Sequence, residues 1–153
     1  MRDRSQEDPI AGRRVTPMRL PPPRNVALVA VGGALGAVAR LAVSLYVPSA
    51  QGGWPSGTMV VNLSGALLLG LLLGVVDEFL AGGTWARPLL GTGILGGYTT
   101  FSTLSLEIER LTSAGHAVGA TGYGLSTLAA GLLTVWIGST AAVTLRRFLR
   151  GRH

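Results

Sequence analysis

Gly96-Gly97-Tyr98-Thr99-Thr100-Phe101-Ser102-Thr103-Leu104-Ser105 lies inside a charge-free run from Pro88 to Leu106. A run of that length is sufficient to cross a bilayer as a helix. Its content does not suit a plain lipid-facing helix, because it holds adjacent glycines and a cluster of Thr and Ser. Irregular backbone at membrane depth is tolerated only where it is buried in protein or lines a polar path. The stretch therefore predicts a membrane helix broken near Gly96-Thr100, with Gly96-Gly97 as its weak point.

Outward from this stretch the same pattern repeats. The chain has 153 residues, 13% charged, and a mean hydropathy of +0.45. Charge is absent from 41 to 76, 88 to 106 and 111 to 145. The first and last runs are too long for one soluble core helix. The reading is an all-α membrane protein with four transmembrane helices, the third of them broken. The spans are about Val26 to Val47, Thr58 to Val76, Pro88 to Leu106, and a stretch within Ala117 to Leu145. Asp77 and Glu78 close the second, Gly82-Gly83 marks a turn, and Glu107, Glu109 and Arg110 form a charged exit from the third. Residues 1–24, arginine-rich and broken by prolines, are expected to be a disordered tail. Residues 25–146 form the four-span domain and 147–153 a basic tail.

All 13 basic residues are arginines, six before residue 25 and four after residue 145. A pI of 11.3 raises the question of nucleic acid. These arginines instead flank apolar spans without interleaved aromatics, so they anchor the chain at the membrane surface and imply no nucleic-acid partner. The tails and the second loop carry eleven arginines, and the other two loops carry only Arg110. That bias puts both termini in the cytoplasm. A start at Met18 instead of Met1 leaves the bias intact. The first span resembles a signal peptide with Ala37-Val38-Ala39 as a cleavage site, but apolar sequence resumes directly after Arg40.

Small residues four apart recur as Gly32/Gly36, Gly33/Ala37, Gly70/Gly74, Gly93/Gly97 and Gly115/Gly119. Such pairs let helix backbones approach closely in lipid. With 23 glycines in the chain, chance alone produces some, so the sequence does not say which are interfaces.

No carboxylate lies in the middle of a predicted span, His116 and His153 sit at a loop and a terminus, and cysteine is absent. No nucleophile–base pair or Cys-based metal site follows, so the chain is not expected to be an enzyme. Two polar residues interrupt the spans. Arg40 either snorkels to the interface or supplies a fixed positive charge to a water-filled vestibule. Asn62 either bonds a neighbouring helix or offers an amide donor to a path. A broken third span exposes carbonyls suited to a cation and N–H groups suited to an anion. The ring edge of Phe101 carries the positive part of its quadrupole and tolerates an anion.

Three segments together resemble the CrcB/Fluc family of fluoride channels: Gly32-Gly33-Ala34-Leu35-Gly36-Ala37-Val38-Ala39-Arg40, Gly57-Thr58-Met59-Val60-Val61-Asn62-Leu63-Ser64-Gly65 and Gly96-Gly97-Tyr98-Thr99-Thr100-Phe101-Ser102-Thr103. The similarity covers about residues 26–145. It implies a passive fluoride-selective channel in a bacterial-type cell membrane, built as an antiparallel dimer of dual-topology type with two pores. Carried over, Asn62, Phe101, Ser102 and Thr103 line the fluoride pore, and Tyr123 and Thr127 extend a polar track. Arg40 becomes a vestibule charge. The backbone carbonyls of Gly96 and Thr99 hold a central structural Na+. Where the family has a second phenylalanine, this chain has Leu104. A homodimer of antiparallel subunits also needs one sequence to insert both ways, which the arginine bias opposes. Both departures favour an oppositely oriented paralogue as partner; the alternative is an antiparallel dimer of this chain with itself, in which Leu104 is a tolerated variant. The competing readings are a small proton-coupled multidrug exporter and a non-conducting partner subunit.

Overall fold

A computed structural model describes residues 20–47, 53–79 and 84–151. The expectations for the N-terminal tail up to residue 19 and for the Gly82-Gly83 turn fall outside the described residues. Helix α1 spans Pro23–Tyr46, α2 Ser56–Phe79, α3 the single turn Gly96–Tyr98, α4 Phe101–Ser113 and α5 Ala117–Arg150. A π-helical stretch, Arg87–Leu95, runs directly into α3. No strand occurs among the described residues. Among the described residues, three helices are long and apolar enough to cross a membrane: α1, residues Ser56–Val75 of α2, and α5. The chain is thus an all-helical, multi-pass membrane protein.

Glycine contacts set the packing. A side chain at Gly32 would run into the backbone of Leu89 and Gly93, and one at Gly36 into that of Ile94 and Tyr98. Gly97 lies against the backbone of Gly33. These contacts advance along both segments together, so α1 and residues 87–98 run parallel. Gly70 meets Val135 and Ser139, Gly74 meets Ala142, and Gly138 meets Leu67 and Leu71. Helices α2 and α5 are therefore also parallel and in close backbone contact. Among the repeated pairs, Gly32/Gly36, Gly93/Gly97 and Gly70/Gly74 are intrachain interfaces. Gly115/Gly119 is not: Gly115 forms the turn after α4 with φ +82, and nothing lies near Gly119. That left-handed conformation suits glycine and folds α4 back against α5, bringing Ile108 to Gly124.

The irregular point is displaced from the glycine pair. Gly96 and its neighbour stay helical, and the chain becomes extended at Thr99 (φ −74, ψ 156) and Thr100 (φ −145, ψ 121). The physical reason is twofold. The missing Cβ of Gly97 serves the close approach to Gly33, while partners for an extended peptide exist only at Thr100. Helix α5 continues to Arg150, so residues 147–150 of the basic end are still helical.

Candidate functional site

The site grows from one face of α2. Thr58, Asn62, Gly65, Ala66 and Leu69 recur at helical spacing and face the region between residues 91 and 107. Asn62 holds the extended link from both sides. Its Nδ2 donates to the Thr100 carbonyl at 3.0 Å, and the Thr100 N–H donates to its Oδ1 at 2.8 Å. Because a peptide N–H can only donate, this second bond fixes which amide atom is oxygen. One Nδ2 hydrogen is left over, and Asn62 lines an open cleft of about 370 Å³ together with Gly96, Thr99, Thr100, Phe101 and Leu104.

Thr100 is buried and works as a hub. Its Oγ1 accepts the Thr103 N–H at 3.2 Å, capping α4. The same oxygen donates to Thr103 Oγ1 at 3.0 Å and lies 3.2 Å from Ser102 Oγ. Ser102 and Thr103 are thus gathered at the first turn of α4, where helix N–H groups favour negative charge.

These bonds have a consequence for two carbonyls. In an unbroken helix the Thr100 N–H would bond Gly96 O, and the Thr103 N–H would bond Thr99 O. Here Asn62 and the Thr100 hydroxyl take those donors instead. Gly96 O and Thr99 O are released beside the cleft that both residues line. Two neutral carbonyl oxygens are a donor set of the kind hard cations take. Thr99 O accepts one bond, from Arg40 Nη1 at 3.4 Å, near the outer limit for such a bond. No cluster of three or more His, Cys, Asp or Glu that would suit a metal occurs among the described residues.

Phe101 is 81% exposed. With Leu104 it separates this cleft from a second one of about 350 Å³, which is lined also by Thr127, Gly124 and Leu128. Thr127 is buried, and its hydroxyl has no hydrogen-bond partner among the described residues. A helical threonine normally bonds the carbonyl one turn back, so this unpaired oxygen is unusual.

Sequence spacing overlooked a third centre. Glu107, expected at a charged exit, turns inward: Thr58 Oγ1 donates to its Oε1 and Tyr123 OH to its Oε2, both at 2.7 Å. Tyr123 is fully buried, and the Trp54 ring stands edge-on to it with centroids 5.5 Å apart. Tyr123 and Thr127 therefore do lie on the inward face of α5, but Tyr123 is bound to a carboxylate. Glu107 stood one turn beyond Thr103 and seven residues beyond Thr100, on their face of α4. That spacing was the available signal. Ser64 Oγ also meets Tyr98 OH at 2.9 Å, a tie between α2 and α3.

Residues 27–139 match the family described as CrcB-like protein, Camphor Resistance (CrcB). The chain is 40% identical over 128 residues to "Fluoride-specific ion channel FluC 2" of Nocardia farcinica, covering 82% of this chain and 91% of that protein. It is 40% identical over 128 residues to "Fluoride-specific ion channel FluC 1" of Streptomyces coelicolor, covering 84% and 81%. It is 44% identical over 112 residues to "Fluoride-specific ion channel FluC 1" of Mycolicibacterium paratuberculosis, covering 73% and 85%. With about three quarters of the chain matched, the chain belongs to the CrcB-like family.

Proposed function

We propose that this chain is a subunit of a fluoride-selective channel that lets cytoplasmic fluoride leave the cell passively and so relieves its toxicity. The observation that carries this reading is the cleft beside Phe101, which is lined by Asn62 with its free Nδ2 hydrogen, by Thr99 and by Thr100, and by no charged side chain. Fluoride is small and strongly hydrated, so a selective path must replace water by N–H and O–H donors. The relatives' names, fluoride-specific ion channels, point the same way, and the family is one of ion channels rather than enzymes.

In this reading Asn62, Ser102 and Thr103 supply donors, and Phe101 presents its ring edge. Thr127 offers its unpaired hydroxyl, Tyr123 orders one end of the track and Arg40 sits at the vestibule. Residues 87–113 form a broken third crossing, making four. Its support is the parallel course of α1 with residues 87–98 and of α2 with α5, which alternate crossings of an up-and-down bundle require. Both termini are cytoplasmic. Gly96 and Thr99 lend carbonyls to a structural Na+, which supplies positive charge at the centre of the assembly. Two carbonyls from one chain are too few for such an ion, so a second subunit, antiparallel to the first, completes it. The exposed Phe101 is a natural face for that partner.

The partner is an oppositely oriented paralogue in preference to a second copy, because Leu104 leaves the aromatic pair incomplete and the arginine bias fixes one orientation. The inward-turned Glu107 keeps the exporter alternative in play, since it is a membrane-proximal carboxylate. Expression in a fluoride-sensitive strain lacking its own exporter separates the readings. Restored growth on fluoride, alone or with the paralogue, supports the channel. Resistance to cationic drugs with no fluoride resistance supports the exporter.

A further inference from the structure

Thr99 O, released from helical bonding, is claimed by two positive groups. The Arg40 guanidinium already reaches it at 3.4 Å, and a cation coordinated by the released carbonyls would need the same oxygen. We propose that the Arg40 guanidinium and a monovalent cation are alternative occupants of the Thr99 carbonyl, so that Arg40 sets how tightly the break holds its ion. The inference rests on the reading of Gly96 and Thr99 as cation ligands and goes beyond it by naming the residue that opposes binding.

A carbonyl oxygen has two lone pairs, so the oxygen itself has room for both groups. Two unit positive charges on one oxygen repel strongly away from bulk water. One must leave. The Arg40 bond is long and therefore weak, and no carboxylate pairs with Arg40 among the described residues. Its backbone is held firmly, because one turn earlier Gly36 lies against Ile94 and Tyr98. Only the long side chain is free to change place, and it is half-buried. Occupancy of the break by a cation therefore expels the guanidinium from Thr99 O. Absence of the cation lets Arg40 take its place and keeps the carbonyl satisfied.

The test uses the purified full-length channel, with its partner subunit if assembly requires one, titrated with NaCl against N-methylglucamine chloride at constant ionic strength. Thermal melting reports Na+ binding, and arginine-specific labelling with phenylglyoxal, read by mass spectrometry, reports Arg40. Expected are Na+-dependent stabilisation, faster labelling of Arg40 in Na+, and half-saturation in Arg40→Gln at about tenfold lower Na+. Arg40→Lys, which keeps the charge but loses the planar fork, falls between the two and guards against a Gln variant that fails to assemble. Na+ binding with unchanged Arg40 labelling and unchanged half-saturation in both variants overturns the competition alone. No Na+ effect in any protein overturns the cation reading and this inference with it.

Discussion

Asn62 and Thr100 form a closed pair in which one side-chain amide satisfies both hydrogen-bonding groups of one extended peptide, at 2.8 and 3.0 Å. An isolated extended peptide at membrane depth would leave a donor and an acceptor unpaired, at about 1–3 kcal/mol each. This pair removes that cost and frees Gly96 O for other use.

Replacing Asn62 by Asp keeps an acceptor for the Thr100 N–H but sets a carboxylate against the Thr100 carbonyl. Fluoride flux is expected to fall by about tenfold or more, the equivalent of one lost donor, while size-exclusion chromatography still finds assembled channel. Wild-type flux in this variant contradicts the role given to Asn62.

Phe101 and Leu104 test the aromatic lining in opposite directions. Phe101→Ile removes the ring edge and is expected to lower fluoride flux with assembly intact. Leu104→Phe restores the second ring and is expected to raise flux through the chain expressed without a paralogue. Efflux assays on both variants check this, and an unchanged rate in each would mean the rings do not line the path.

Thr127→Val separates function from stability. The buried hydroxyl has no partner, so its loss should not lower the melting temperature and should raise stability by up to about 1–3 kcal/mol. If the hydroxyl serves the ion, flux falls in the same variant. A lower melting temperature would instead mean that the hydroxyl is satisfied in the assembled protein.

Gly36→Ala tests the packing beneath the site. The added methyl would meet the backbone of Ile94 and Tyr98, which cannot turn aside as a side chain can. Destabilisation of about 1–3 kcal/mol or more is expected from overpacking, measured as a lower melting temperature in detergent. The same change at Gly119, where nothing is close, should be nearly silent.

Much of this was legible in the sequence because membrane solvation is a severe constraint. Long apolar runs announced α1, α2 and α5, and the glycine and hydroxyl content of residues 96–105 announced an irregular third segment. The sequence could not place the irregularity at Thr99-Thr100, because that depends on Asn62 arriving from another helix. It also left open which glycine pairs were interfaces. Gly70/Gly74 became one only because Gly138 and Ala142 stand opposite, whereas Gly115/Gly119 met no neighbour. Glu107 was misjudged for the same reason: a carboxylate at the edge of an apolar run looks solvated until Thr58 and Tyr123 are brought to it.

The most direct test of the central claim is fluoride release from liposomes containing the purified channel, followed with a fluoride electrode and with valinomycin supplying potassium as the counter-current. Rapid fluoride efflux down its gradient is expected without any imposed proton gradient, with chloride retained in matched vesicles. Fluoride retained both by this chain alone and by this chain with its paralogue, or release only when protons drive it, would contradict the account.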